Sequence, residues 1–207
     1  MLSEIGKAID AQQAYNFAKD PVGLVRAINH FYTIDKHIIA NQTNAMSIAL
    51  DLIDGYIDTA INNCPYDLFL NNKNRVKESK CQDCFLVYSK RSLEELDYDV
   101  NRESNNGNGC LDFKLSKGNN DKALIEMKLL SSKQYLHGIE KQLLSYGRAD
   151  SCKNLIYLVI DDNMLSEKVA NKRLNEINGV CAELKKVGYN VEVKYMLLKE
   201  KKSASIE

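Results

Sequence analysis

The sequence predicts a mixed α/β domain preceded by helices. Three observations point there: helical spacing without β-like alternation over residues 2–63, short alternating runs separated by turns between residues 96 and 130, and a helix, strand, helix, strand order after residue 135.

The elements follow in order. Ile5 and Ile9, then Val22, Val25, Ile28 and Tyr32, then Ile48, Leu52, Tyr56 and Ala60 recur at helical spacing, so two or three helices are expected. Asp20-Pro21 suits a helix start, Asp20 as N-cap and Pro21 in the first helical position. Pro65 marks a further break, and residues 71–80 read as a polar loop or the start of a solvated helix. Cys81, Cys84, Phe85 and Tyr88 then fall on one helical face. Leu96, Tyr98 and Val100 alternate with polar residues as a first strand, and Asn105-Asn106-Gly107-Asn108-Gly109 is a turn. Cys110, Leu111 and Phe113 open a second strand, Gly118-Asn119-Asn120-Asp121 is a turn, and residues 123–130 form a third strand, completing an antiparallel meander. Ile139, Leu143 and Tyr146 mark a helix over 135–149, and the apolar run 155–160 suits a buried strand. Residues 165–187 read as a polar-faced helix, Val191, Val193, Tyr195 and Leu197 as a last strand, and 199–207 as a tail.

Charge and composition restrict function. Lys+Arg 28 against Asp+Glu 28 gives a net charge of zero, which excludes a wholesale polyanion binder and makes any nucleic-acid surface local. Residues 1–70 carry four basic and eight acidic side chains, whereas residues 111–153 carry eight basic and five acidic ones, so phosphate is expected at the later segment. The run 155–160 is too short to span a membrane and the start Met-Leu-Ser-Glu-Ile-Gly-Lys has no apolar signal core, so a soluble, cytoplasmic protein with no membrane partner is expected. The six cysteines read as reduced thiols, and Cys81-x-x-Cys84, with no second such pair, as thiols of a helix face. No G-x-x-x-x-G-K-[ST] is present, which excludes a nucleotide-hydrolysing motor of that type.

The chemistry is carried by Gly109-Cys110-Leu111-Asp112-Phe113 and Leu124-Ile125-Glu126-Met127-Lys128. Residues two apart on a strand point the same way, so Glu126 and Lys128 share a face and Met127 points to the opposite one. With Asp112 on the neighbouring strand, two carboxylates on one face form a hard oxygen site for Mg²⁺ or Mn²⁺, to which the Met127 main-chain carbonyl adds another oxygen. The same residues also suit a solvated strand face with cross-strand ion pairs.

In motif order and surrounding strands, residues 100–116 and 121–129 resemble the PD-(D/E)XK nuclease superfamily, with Asp112 as the core aspartate, Glu126-x-Lys128 as the E-x-K, and Leu111 standing where the family's leading proline would be. Gln142-Leu143-Leu144-Ser145-Tyr146 is similar to the Q-x-x-x-Y of the RecB-type and lambda-exonuclease-type branches. The resemblance implies a restriction-endonuclease-like mixed β-sheet core, αβββαβ with a further helix and strand, preceded by a helical N-terminal region. It implies a metal-dependent nuclease acting on DNA, RNA being left open, with Asp112 and Glu126 on Mg²⁺ or Mn²⁺ and Lys128 orienting the attacking water. It also implies that Gln142 positions water or substrate and that Tyr146 contacts the DNA strand, unless Tyr146 is simply core. An additional acid is expected before Asp112: Glu103 is the first candidate for this accessory role, with Glu78, Glu94 and Glu95 as alternatives. The alternative function is a catalytically silent copy of the fold used for nucleic-acid binding or protein assembly. Residues 1–70 are expected to mediate homo-oligomerisation or dock a partner, residues 71–198 to form the nuclease-like domain, and 199–207 the tail.

Overall fold

In the computed structural model the described residues are 44–102 and 111–200; they carry a five-stranded mixed sheet with helices on both faces. Helix α1 (Ala45–Asn62) starts where the Asn44 side chain accepts the Ser47 N–H at 2.9 Å, a capping contact that satisfies one of the free donors of the first turn. Its buried stripe of Ala45, Ala49, Ile53, Tyr56 and Ala60 recurs at three- and four-residue spacing and lies on the sheet. A short 3-10 turn (Tyr66–Phe69) and an isolated bridge between Leu70 and Val76 lead to α2 (Glu78–Glu95).

Strands β1 (Asp99–Asn101), β2 (Phe113–Lys117) and β3 (Asp121–Leu129) form the expected antiparallel meander, with Phe113 opposite Ile125 and Lys117 opposite Asp121. Two details differ from the sequence expectation. The first strand does not begin at Leu96, because the Leu96 N–H still bonds the Ser92 and Leu93 carbonyls and Asp97, at φ 60°, turns the chain out of the helix. The second strand begins at Phe113, leaving Asp112 in the bend that precedes it.

The chain then runs through a π-helical stretch (Gly138–Leu143) into α3 (Leu144–Ala149), β4 (Asn154–Asp161), α4 (Glu167–Lys186) and β5 (Asn190–Leu197). The sheet order is β1-β2-β3-β4-β5, and β4 pairs parallel with both β3 and β5. A strand enclosed on both faces needs apolar side chains on both, as the buried run Leu155–Ile160 supplies. Phe85 of α2 stacks edge-on against Phe113 at 5.0 Å, which puts α1 and α2 on one face. Leu124, Tyr157 and Val191 pack with Ile139, Leu143, Ile177 and Leu184 on the other, under the π-helix and α4. Among the described residues no helix is long and apolar enough to cross a membrane. Cys64, Cys81, Cys84, Cys152 and Cys181 are free thiols, Cys81 buried as the helix-face reading expected.

Candidate active site

The end of the β2–β3 ladder creates the site. Because the last antiparallel pair is Phe113 with Ile125, Asp112 stands just beyond it, where register continues to Glu126. Its carboxylate does not meet Glu126 in a hydrogen bond; Oδ2 accepts the Met127 N–H at 2.6 Å, a donor that a longer β2 would have engaged through its backbone. On a strand a residue's N–H and C=O face the same neighbour, so the Met127 carbonyl is turned toward this edge as well. The second Asp112 oxygen, Oδ1, accepts from Gln82 Nε2 at 2.8 Å.

Glu126 and Lys128 share the face that Leu124 occupies, as strand alternation requires, with Lys128 Nζ 3.2 Å from Glu126 Oε1. That contact is an ion pair without hydrogen-bond alignment: both Glu126 oxygens are buried and neither has a hydrogen-bond partner. Glu78, in the first turn of α2, closes the group. Its Oε1 lies 2.8 Å from Lys128 Nζ and its Oε2 accepts the Leu129 N–H at 3.1 Å. Two carboxylates, Glu78 and Glu126, therefore flank one ammonium.

The electrostatics follow from burial. Asp112 is pushed up to about 6 by desolvation, against the Met127 N–H, the Lys128 ammonium and the Gln82 amide, while Glu78 adds to the upward push. Burial and then the neighbouring Asp112 raise Glu126 well above the usual carboxylate range, with Lys128 opposing. Burial would lower Lys128, but Glu126 and Glu78 outweigh it and hold the ammonium above its ordinary value.

The floor of the site is set by Gly138 and Tyr157. Tyr157 lies opposite Glu126 on β4 and donates its hydroxyl to the Tyr135 carbonyl. Gly138 opens the π-helix close above it, and Tyr157 and Lys128 together leave no room for a side chain at that position. Gln142 lies in the π-helical stretch and Tyr146 in α3, half-buried against the Ile139 and Leu143 cluster.

Asp112, Glu126, Met127 and Lys128 thus converge in the structure. Among the proposed accessory acids, Glu78 joins them; Glu103 lies outside the described residues, as do residues 1–43 and 201–207. Glu94 and Glu95 end α2 at the opposite terminus from Glu78. Gln82 carries no signal in the sequence beyond its place one turn after Glu78, on a helix whose apolar face is the more conspicuous feature.

The donor set fits a hard divalent cation. Two buried carboxylates with raised pKa values, one of them with only the Lys128 ammonium beside it, would be relieved by a divalent cation, and Mg²⁺ characteristically takes one or two carboxylates and keeps several waters. Among the described residues no group of three or more Asp, Glu, His or Cys side chains is arranged to hold a metal by itself, since the Glu78 oxygens are turned to Lys128 and Leu129.

Residues 45–164 match the model of a family described as "Domain of unknown function (DUF8371)", a span that includes every residue of this site. No curated protein and no solved structure matches the chain.

Proposed function

This chain belongs to the DUF8371 family, and we propose that it is a metal-dependent nuclease hydrolysing the phosphodiester bonds of DNA. The observation that carries the reading is Glu126: a fully buried carboxylate without a hydrogen bond, beside a second buried carboxylate and a lysine, is an expensive arrangement for stability alone. The element order α2-β1-β2-β3-helix-β4 supports the PD-(D/E)XK resemblance of the motifs.

Asp112 and Glu126 would hold Mg²⁺ or Mn²⁺, with the Met127 carbonyl as a further oxygen. Such an ion, when bound, supplies a water of lowered pKa and charge neutralisation at the phosphoryl group. Lys128, kept protonated by Glu126 and Glu78, orients the nucleophilic water and stabilises negative charge growing on the phosphoryl oxygens. Gln82 and the Met127 N–H fix both oxygens of Asp112 in place. Gln142 and Tyr146 are assigned by the resemblance to substrate positioning and strand contact, and a homo-oligomer or partner contact to the N-terminal residues.

The test is cleavage of plasmid and linear DNA with Mg²⁺ or Mn²⁺. Activity in the unsubstituted protein that disappears in Glu126→Ala and in Lys128→Ala is the expected result; activity surviving both substitutions overturns the assignment. A second reading, a catalytically silent copy used for binding or assembly, is favoured by one observation: the Lys128 ammonium faces two carboxylates while Glu126 has no exposed surface. Absence of a calorimetric Mn²⁺ signal, together with DNA binding indifferent to Asp112→Asn, selects it.

A further inference from the structure

We infer that Arg102 is a positioning residue of this site, orienting the Gln82 amide and through it the Asp112 carboxylate; the inference rests on Asp112 being a metal ligand. Arg102 follows the last residue of β1 and reaches two consecutive residues of α2. Its Nη1 lies 2.6 Å from Asp83 Oδ1 and its Nη2 donates to Gln82 Oε1 at 3.0 Å. Gln82 Nε2 donates in turn to Asp112 Oδ1 at 2.8 Å, and the Met127 N–H holds the other Asp112 oxygen.

The direction of this relay is set by donor and acceptor chemistry. A guanidinium only donates and an ionised carboxylate only accepts, whereas a glutamine amide has one end of each kind and a shape that does not distinguish them. With Arg102 on one side, the amide oxygen must face the guanidinium and the NH₂ must face Asp112. The flipped amide would set oxygen against carboxylate and NH₂ against guanidinium, two mismatches at a buried side chain. The Asp83 contact holds the guanidinium over Gln82, and because Arg102 and Asp83 are both substantially exposed, its value lies in orientation rather than in ion-pair energy. Without Arg102 the flipped amide carries one mismatch instead of two, so the Gln82 NH₂ is held on Asp112 Oδ1 by the carboxylate alone and less firmly, while the Met127 N–H still holds Oδ2.

The experiment uses the full chain carrying Arg102→Met, Arg102→Lys, Gln82→Met and the Arg102→Met/Gln82→Met pair. Mn²⁺ affinity is read by electron paramagnetic resonance, and exchange of the Gln82 side-chain NH₂ protons by ¹⁵N NMR without metal. Arg102→Met is expected to weaken Mn²⁺ binding about 10-fold, the lower end of effects for groups that orient a metal ligand, and to speed Gln82 NH₂ exchange. Arg102→Lys, whose head also only donates, restores most of both. In the Gln82→Met background the same Arg102→Met change adds less than about 2-fold, because the shared path is already cut. Unchanged Gln82 NH₂ exchange in Arg102→Met overturns the inference, as does an equal loss of Mn²⁺ affinity in both backgrounds. An unsubstituted protein that binds no Mn²⁺ overturns the proposed function instead, and the NH₂ exchange then decides the orienting role by itself.

Discussion

Gly138 lies against both Tyr157 and Lys128: a β-carbon there would come within 2.9 Å of the Tyr157 hydroxyl, forcing a shift, and within 3.1 Å of Lys128 Cε. The contact ties the start of the π-helix to the lysine of the site. Gly138→Ala should therefore be destabilising, because the advantage alanine has over glycine inside a helix is reduced at the first residue of one. Tyr157 is buried and its hydroxyl is held by the Tyr135 carbonyl, so the ring cannot swing aside and overpacking of about 1–3 kcal/mol prevails. A lowered urea midpoint at pH 7, with Mn²⁺-supported cleavage falling further than the folded fraction, is the expected outcome.

Glu126→Gln should separate stability from function. Removing the charge relieves a buried carboxylate that lacks hydrogen bonds and sits beside Asp112, while Lys128 keeps its partner Glu78. The metal-free variant is expected to melt at a higher temperature than the unsubstituted protein at pH 7.5, yet to bind Mn²⁺ at least about 10-fold more weakly. Calorimetry and thermal melts on the same samples check both halves.

Asp112 and Glu126 also dictate a pH dependence. In the unfolded chain Asp112 loses its proton near 3.8, whereas in the fold it keeps it up to about 6, and Glu126 is displaced in the same direction. Over that window the folded state binds more protons than the unfolded one, so the stability of the metal-free protein falls as pH rises from about 4 to 6 and the penalty persists above. Divalent ions need the deprotonated carboxylates. Mn²⁺ should accordingly raise the melting temperature strongly at pH 7.5 and little at pH 5, and an equal rise at both pH values would contradict the carboxylate site.

Glu78 acts on two partners, which two substitutions can resolve. Glu78→Gln retains an acceptor for the Leu129 N–H but withdraws charge from Lys128; Glu78→Ala loses both. The alanine variant should lose about 1.5–3 kcal/mol and the glutamine variant less, since a hydrogen bond to a charged group contributes about that much. Because Glu78 helps hold Lys128 above its ordinary pKa, both variants should shift the alkaline limb of the pH–rate profile to lower pH.

Much of the fold was legible because local periodicity and burial agree here. Alternation placed Glu126 and Lys128 together and Met127 opposite, and the glycine-asparagine turn at 118–120 set the β2–β3 hairpin. The site was legible only as far as one hairpin extends. Gln82 lies thirty residues from Asp112 and Glu78 fifty from Lys128, separations at which no spacing rule connects a helix to a strand. Glu78 stood out only as one of several acids near the helix, and Gly138 and Arg102 not at all, because close approach and amide orientation are properties of packed elements.

The sequence by itself determined the order of helices and strands and the alignment of Asp112, Glu126 and Lys128, since both follow from dihedral periodicity along neighbouring residues. Burial decided the rest. An E-x-K strand is as suitable for a solvated face as for a metal site, and only the packing of α2, β4 and the π-helix around it buries both Glu126 oxygens and sets Asp112, Glu78 and Lys128 near them. In that low-dielectric enclosure the same carboxylates that would have been inert on a surface acquire raised pKa values.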